Sequence, residues 1–201
     1  MIYFGNTRNK LSYNPESVVI GTQTWALKNF SESTLINGTV IPEVTNATTW
    51  AGLTTAAWCN YANNADNGLI YGKLYNWYAC DLIDEAYTQF GWRTPTDSEW
   101  TTLSIYLGGN TVSGGKLKAT GTTYWTTPNT GATNESGFTC LPSGQRNVSG
   151  NFQSIGVSSF FRTSSVTGSN GITRRMDYNN DDLTVGNYAK TLGFAIRLIK
   201  I

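Results

Sequence analysis

Residues 91–109, GWRTPTDSEWTTLSIYLGG, carry the most complete helix pattern in the chain. Thr96 and Glu99 follow Pro95 at the spacing of a capping box, in which each residue's side chain accepts a hydrogen bond from the other's backbone amide. Gly108 and Gly109 come next to the last apolar position and supply the residues that commonly end a helix. Between these signals, apolar residues recur at helical spacing: Trp100, Leu103 and Leu107. The stretch therefore predicts a helix from Thr96 to Gly108 whose apolar stripe packs on a sheet.

The composition of the 201 residues removes several classes of function. The net charge is +1 and only 13% of residues are charged, so no basic field favours nucleic acid or an anionic membrane. The chain contains no histidine, which excludes Ser–His and Cys–His nucleophiles and His-bound metals. We therefore expect a non-enzymatic protein without a cofactor, without a nucleic-acid partner and without membrane insertion.

The cysteines are Cys59, Cys80 and Cys140, an odd number at wide spacing. No CxxC pair occurs, which argues against a structural zinc site. Unpaired cysteine is among the most buried residue types, so we expect free, buried thiols, with a disulfide between two of them as the alternative.

The rest of the chain predicts short strands, long loops and one further helix. Val18, Val19 and Ile20 precede a turn at Gly21, and the apolar residues of GLIYGKLYNWYAC, residues 68–80, recur at helical spacing. Further strands are predicted near residues 122–126, 158–163, 172–178 and 193–199. In the last of these, alternation predicts one buried face: Phe194, Ile196 and Leu198. These elements predict an α+β domain with two helices, a small, mostly antiparallel sheet and long loops.

Residues 130–144, TGATNESGFTCLPSG, form a long loop rich in Gly, Thr, Asn and Ser. Two apolar residues inside it, Phe138 and Leu141, are expected to pack inward and hold the loop, because buried apolar anchors keep long loops compact. The loop is therefore interpreted as scaffold that supports residues 146–190.

Six motifs, in this order, give the chain a family resemblance. IGTQTW, YGKLYNWYAC, GWRTPTDSEWTTL, GGKLKATGTTYW, ATNESGF and GFAIRLIK resemble the Fibrobacter succinogenes major paralogous domain family over residues 18–201. The block from YNWYAC to GWRTPTDSEW is also similar to formylglycine-generating-enzyme-type domains. Both resemblances imply a C-type-lectin-like fold.

The resemblance also implies a setting for the protein. Members of this family are bacterial surface proteins, or are similar to bacteriophage tail proteins and to variable proteins that diversity-generating retroelements rewrite. MIYFGNTRNK lacks the apolar core of a signal peptide, so we expect cytoplasmic synthesis followed by incorporation into a phage tail, with the bacterial cell surface as the alternative location. Residues 1–17 precede the resemblance and are expected to attach the domain to other tail proteins or to build a homo-oligomer, a trimer being favoured.

Residues 157–190 are the predicted display surface for a host-cell surface protein or glycan. Their Tyr, Ser, Asn, Gly and Arg content is typical of recognition loops. If Met176 faces the core, then Arg175 and Asp177 face outward with Thr173 and Asn179 beside them. The predicted ligand-binding residues are Ser159, Phe161, Arg162, Asn170, Thr173, Arg174, Arg175, Asp177, Tyr178, Asn179, Asp182, Asn187 and Tyr188.

Three alternatives to this function stay open. A structural tail or surface protein without a specific ligand is the first. An enzyme related to the formylglycine-generating type is the second, although only Cys140 lies in the half of the chain where that chemistry needs a cysteine pair. No EPN, QPD or WND triplet of calcium-dependent lectins occurs, and we predict no metal site; a calcium site at Asp177, Asp181 and Asp182 is the third alternative, because hard cations prefer clustered oxygens.

Overall fold

The predicted capping box is present at the start of helix α4 (Asp97–Tyr106) in a computed structural model that describes residues 11–201. The Thr96 hydroxyl accepts a hydrogen bond from the Glu99 amide at 3.2 Å, and the Glu99 carboxylate accepts one from the Thr96 amide at 2.8 Å. Gly108 and Gly109 follow the helix with φ of 105° and 99°, a backbone region that favours glycine. The predicted stripe of Trp100, Leu103 and Leu107 is buried. The sequence prediction of this helix is confirmed.

The described residues form an α+β architecture of short elements. The other helices are α1 (Ala47–Ala51), α2 (Ala65–Tyr71), α3 (Ala79–Tyr87) and α5 (Asn110–Leu117). The first strands are β1 (Ser17–Ile20), β2 (Gln23–Ala26), β3 (Trp58–Cys59), β4 (Leu74–Tyr75) and β5 (Trp92–Arg93). The later strands are β6 (Ser143–Arg146), β7 (Phe152–Ile155), β8 (Ser158–Thr167), β9 (Asn170–Asp177), β10 (Thr184–Ala189) and β11 (Ile199–Lys200).

Three sheets are joined by the C-terminal segment 193–200. One sheet has the strand order β1-β2-β11-β5, a second has the order β10-β9-β8-β6-β7, and β3 pairs with β4. All pairs are antiparallel except β6 with β8. Phe194 bridges to Tyr75 and Ala195 to Phe161, while Ile199 pairs with β2 and β5. The segment thus lies at the centre of the fold, and it is buried from Leu192 to Ile199 rather than on alternate residues only.

An aromatic cluster fills the core between α4 and β8. The rings of Trp25 and Trp100 lie 4.8 Å apart, and Phe161 of β8 lies 5.3 Å from Trp100. Phe138, from the long loop 130–144, closes the cluster at 5.7 Å from Trp100. Buried aromatic side chains dominate core energetics because each removes a large apolar area from water. The inward anchor predicted at Phe138 is therefore confirmed, whereas Leu141 is only partly buried.

The helix predicted over residues 68–80 is wrong. α2 ends at Tyr71, and Gly72 turns the chain with φ of 77°. A Cβ at Gly72 would lie 2.7 Å from the Cβ of Asn29, so close packing of the two segments requires glycine here. The next residues pair with β3 as strand β4, and a new helix, α3, begins four residues later. Tertiary pairing therefore overrides the helical periodicity, and Leu69 of α2 is 85% exposed.

Two further sequence predictions have mixed outcomes. Residues 158–163 and 172–178 lie in or next to β8 and β9, as predicted, but residues 122–126 form no strand. Trp125 is buried there, and its indole N–H donates to the carbonyl of Cys140 at 3.0 Å, which fixes the loop without a strand partner.

All three cysteines, within residues 11–201, are buried and free, as expected.

The predicted attachment segment, residues 1–17, is described only in part. Residues 1–10 lie outside the described residues. Tyr13 packs edge-on against Tyr87, with ring centroids 4.5 Å apart, and β1 already begins at Ser17. Residues 11–17 are therefore in contact with the domain, and attachment through the segment stays a prediction.

Buried cations hold the long loops, a device that sequence periodicity does not reveal. Arg197 donates to the Phe138 carbonyl at 2.8 Å and to the Leu27 carbonyl at 2.8 Å, which joins loop 130–144 to the end of β2. Lys118 donates to the carbonyls of Thr130, Asp177 and Asn180 at 2.7 to 2.8 Å. Burial lowers the pKa of Arg197 to about 10 and lowers that of Lys118, because desolvation disfavours the charged form. Arg146 binds the Gly150, Val44 and Thr45 carbonyls in the same way.

Candidate functional site

The β8–β9 pair has two faces, and the residues of these two strands on one face are covered by α4 and the core. Register places Phe160 opposite Arg175 and Phe161 opposite Arg174. Because side chains alternate along a strand, the first pair lies on one face and the second on the other. We call the first the front face; it comprises Ser158, Phe160, Arg162, Gly171, Thr173, Arg175 and Asp177, with Thr184, Gly186 and Tyr188 of β10. The back face comprises Ser159, Phe161, Arg174 and Met176, with Val185 and Asn187 of β10.

The back face packs against α4 and the core. Met176 is buried, which meets the condition under which Arg175 and Asp177 are expected to face outward. Arg174 is also buried: its guanidinium pairs with Asp97 at 2.6 Å and donates to the Thr101 hydroxyl at 2.6 Å. Asp97 thus ties β9 to the first turn of α4, in addition to its favourable position at the helix N-terminus.

Five of the predicted ligand-binding residues are buried, which corrects the prediction that they lie on the display surface. They are Ser159, Phe161, Arg162, Thr173 and Arg174, each at most 2% exposed. Three belong to the back face, where α4 and the core cover them. The other two lie on the front face, where Trp77 and the segment after β10 cover that part of the sheet. These five side chains are almost completely shielded from solvent, so none of them can contact a protein or glycan ligand on the outer surface.

The exposed part of the front face is built around one carboxylate oxygen. Asp177 Oδ1 accepts hydrogen bonds from the Ser158 hydroxyl at 2.5 Å and from Arg175 Nε at 2.8 Å, and Arg175 Nη2 lies 2.7 Å from it. The Arg175 side chain is 39% exposed and that of Asp177 is 11% exposed. Three donors on one oxygen hold the pair in a single geometry, and no hydrogen bond among residues 11–201 uses Asp177 Oδ2.

An aromatic platform lies beside this ion pair. Phe160 stacks on Phe194 with ring centroids 5.0 Å apart and an interplanar angle of 11°. Tyr188 meets both rings edge-on, and the Arg175 guanidinium lies 5.2 Å from the Phe160 ring centre. A Cβ at Gly186 would lie 2.3 Å from the Tyr188 ring, so glycine is what lets this ring lie flat along the strand. The ion pair and Tyr188 are therefore parts of one surface, joined through Phe160.

The remaining predicted residues do not join this surface. Asn187 is exposed on the back face, and Tyr178 packs against the core cluster that contains Met176. Asn170, Asn179 and Asp182 lie at strand ends or in the loop between β9 and β10, partly or fully exposed. Of the thirteen, the structure thus brings together three at the exposed front face, Arg175, Asp177 and Tyr188. The exposed Thr184 and the buried Ser158 and Phe160, which support the surface from below, were not predicted from the sequence. Strict alternation from Arg175 and Asp177, together with the pairing of β8, β9 and β10, would have found them.

Other surfaces offer less chemistry. A groove of about 350 Å³ lies between α2 and the segment after β2, lined by Leu27, Asn29, Tyr71, Leu141 and Arg197. The Arg197 guanidinium at this groove already donates hydrogen bonds to backbone carbonyls. Within residues 11–201 no group of three or more Cys, Asp or Glu side chains is placed to hold a metal ion, which includes the aspartates near residue 180. In the same part of the chain, no helix combines the length and apolarity needed to cross a membrane.

Comparison with family models agrees with the family resemblance of the sequence motifs. Neither the curated proteins nor the solved structures include a significant match to the chain. The family model described as the Fibrobacter succinogenes major domain matches residues 18–200, which run from β1 to β11 and include both faces of the β8–β9 pair. Because that match covers most of the 201 residues, the chain belongs to the Fibrobacter succinogenes major domain family.

Proposed function

We propose that this protein is a binding module that recognises a ligand on a cell surface through the exposed front face of β8, β9 and β10. The observation that carries the proposal is the preorganised pair of Arg175 and Asp177 beside the Tyr188 ring. Arg and Tyr are enriched at binding hot spots because they combine apolar area with directed hydrogen bonds. We also propose that the domain is C-type-lectin-like, in keeping with its motif order.

The preorganised geometry of the front face supports the proposal, because it favours binding at low entropic cost. Asp177 Oδ1 holds Arg175 and Ser158 in place before a ligand arrives, so little side-chain freedom is lost on binding. The outward donors of Arg175 and the unused Asp177 Oδ2 offer both signs of charge to a ligand. The exposed edge of Tyr188 supplies apolar area and a hydroxyl. A host-cell protein or a glycan can both use these groups, and we propose one of these as the ligand.

The setting we propose is a bacteriophage tail, with attachment to other tail proteins through residues 1–17. A bacterial surface location is the alternative, and either setting requires that the front face stays accessible to the ligand.

The test uses two adjacent residues of β10 that point to opposite faces. Thr184 is exposed on the front face opposite Arg175, and Val185 is exposed on the back face. The labelled wild-type chain is first screened against intact cells from a panel of bacteria and against a glycan array. The variants are then compared on every probe that the wild type binds. Thr184→Arg should reduce binding at least about tenfold, because the new arginine side chain covers the Arg175–Asp177 pair. Val185→Arg should not reduce binding, because it changes the opposite face.

Each outcome of this test decides the proposal. Equal binding by wild type and Thr184→Arg, with unchanged melting temperatures, would move the site off the front face. Equal loss in both variants would indicate a site at the edge of β10 rather than on one face.

A structural protein without a specific ligand is the second candidate, and one observation favours it. Val19, Ile105 and Tyr106 are exposed together around the Gly21 turn, where a Cβ at Gly21 would lie 2.9 Å from the Tyr106 ring. An exposed apolar group of this kind suits a packing contact in an assembly. No binding of wild type to any cell or glycan probe would favour this candidate.

A further inference from the structure

Arg162 differs from the other buried arginines because two of its three guanidinium nitrogens are buried without a hydrogen-bond partner among the described residues. Its side chain is fully buried, and only Nη2 donates, to the carbonyls of Leu192, Ala189 and Lys190. Nε and Nη1 make no hydrogen bond with any described residue. Arg146, by contrast, uses all three nitrogens. A buried donor without a partner loses the full free energy of its hydration, so such groups are rare unless water or an ion binds them.

Two more unpartnered groups lie on the same part of the front face. Thr173 stands directly opposite Arg162 in the β8–β9 register, and its hydroxyl is buried without a partner among the described residues. The indole N–H of Trp77 is also buried without a partner in that part of the chain. A Cβ built at Gly171, two residues from Thr173 on the same face, would lie 3.1 Å from Trp77 Nε1. The Trp77 backbone amide and Arg162 Nη2 both donate to the Lys190 carbonyl, which places the Trp77 backbone near the Arg162 guanidinium.

The unpartnered groups of this cluster are all able to donate hydrogen bonds. Arg162 Nε, Arg162 Nη1 and Trp77 Nε1 can only donate hydrogen bonds, and the Thr173 hydroxyl can donate as well. Among residues 11–201, no carboxylate forms an ion pair with Arg162. The Cys80 thiol is near, but burial raises its pKa to about 12, so it is neutral at pH 7. The Arg162 guanidinium lies 4.4 Å from the Phe194 ring centre, but the described residues supply no counter-charge for it, which is costly in a low-dielectric interior.

We propose that the donors of Arg162, Trp77 and Thr173 bind a small monovalent anion, such as chloride, between the β8–β9 pair and α3. The anion accepts the unused hydrogens and neutralises the guanidinium. A divalent anion such as sulfate would leave a net negative charge buried in the same place, so the site selects single charge and small size. The site lies beneath the front face and is independent of the ligand proposed for that face.

The test measures the melting temperature of the full chain as sodium gluconate is replaced by sodium chloride at constant ionic strength. An anion that binds only the folded state raises the melting temperature by mass action, about 3–6 °C at tenfold excess over its dissociation constant for a chain of this size. Thr173→Val and Trp77→Phe each remove one donor and should shift the chloride dependence to higher concentration. Arg162→Met should abolish it.

The matched control is Trp100→Phe, because Trp100 also has a buried indole N–H without a partner among residues 11–201 but lies on the other side of β8. This variant should keep the wild-type chloride dependence. A crystal soaked in bromide should show an anomalous peak within hydrogen-bond distance of Arg162. A melting temperature that does not depend on chloride, with no bromide peak, would overturn the proposal in favour of a buried water. An equal chloride dependence in Arg162→Met would place the anion elsewhere.

Discussion

Both faces of the β8–β9 pair carry an arginine and a phenylalanine, but the arginine of the back face is buried in the core and the arginine of the front face reaches solvent. On the back face, Arg174 is sealed under α4 with Asp97 and Thr101, and Phe161 joins the tryptophan cluster. On the front face, Arg175 and Phe160 stand one position away in each strand, and the guanidinium reaches solvent. Composition does not distinguish the two arginines. What separates them is the pleat of the strand and the helix that covers one side.

The largest expected effect is on the back face, from Trp100→Ala. Trp100 is fully buried and contacts Trp25, Phe138 and Phe161. Its removal leaves a large cavity and should lower the free energy of unfolding by about 3–5 kcal/mol. Urea denaturation measures this loss, and Tyr188→Ala on the half-exposed front face is the comparison, with a smaller expected loss. A Trp100→Ala protein as stable as Tyr188→Ala would erase the difference between the faces.

The adjacent arginines give the sharpest comparison. Arg174→Ala leaves Asp97 and Thr101 without their buried partner and should cost about 2 kcal/mol, less than a fully buried pair because the Asp97 side chain is 28% exposed. Arg175→Ala removes a half-exposed group and should cost less than about 1 kcal/mol. Denaturation of both variants in parallel checks the order. Reversed costs would mean that the front-face ion pair is mainly structural.

An effect smaller than that of Arg174→Ala is expected in α3, which packs against β8 with Cys80 near Arg162. Burial is the main cause that raises the pKa of Asp84 to about 6, although its carboxylate accepts a hydrogen bond from the Thr94 amide at 2.6 Å. Because the folded-state pKa is raised, folding favours the protonated form, and this carboxylate lowers stability increasingly as pH rises from about 4 to about 6.

Asp84→Asn keeps an acceptor for the Thr94 amide and removes the charge. The variant should be more stable than wild type by about 1 kcal/mol at pH 7.5, a value reduced for partial exposure, and equal to it at pH 4. Melting curves at both pH values test this. A gain of the same size at pH 4 would show that the charge is not its cause.

Helix α4 was predictable because its information is local. The capping box of Thr96 and Glu99, the apolar stripe and the two glycines all lie within one short stretch, and each depends only on near neighbours. Residues 68–80 show the limit of such reasoning. Their helical spacing is real, but Gly72 must pass close to Asn29, and pairing with β3 converts the following residues to strand.

The sequence by itself determined the α+β class, the family and the inward packing of Phe138, because periodicity and motif order carry that information. Only the tertiary structure decided which of the predicted binding residues reach solvent. Alternation assigns residues to two faces, but it does not say that α4 covers one face or that Trp77 and the segment after β10 cover part of the other. Likewise, the carbonyl partners of Arg146, Lys118 and Arg197 come from distant loops, so no local pattern could show that these cations are buried. Whether a side chain is buried depends on which distant segments of the chain pack against it, and those contacts form only when the chain folds.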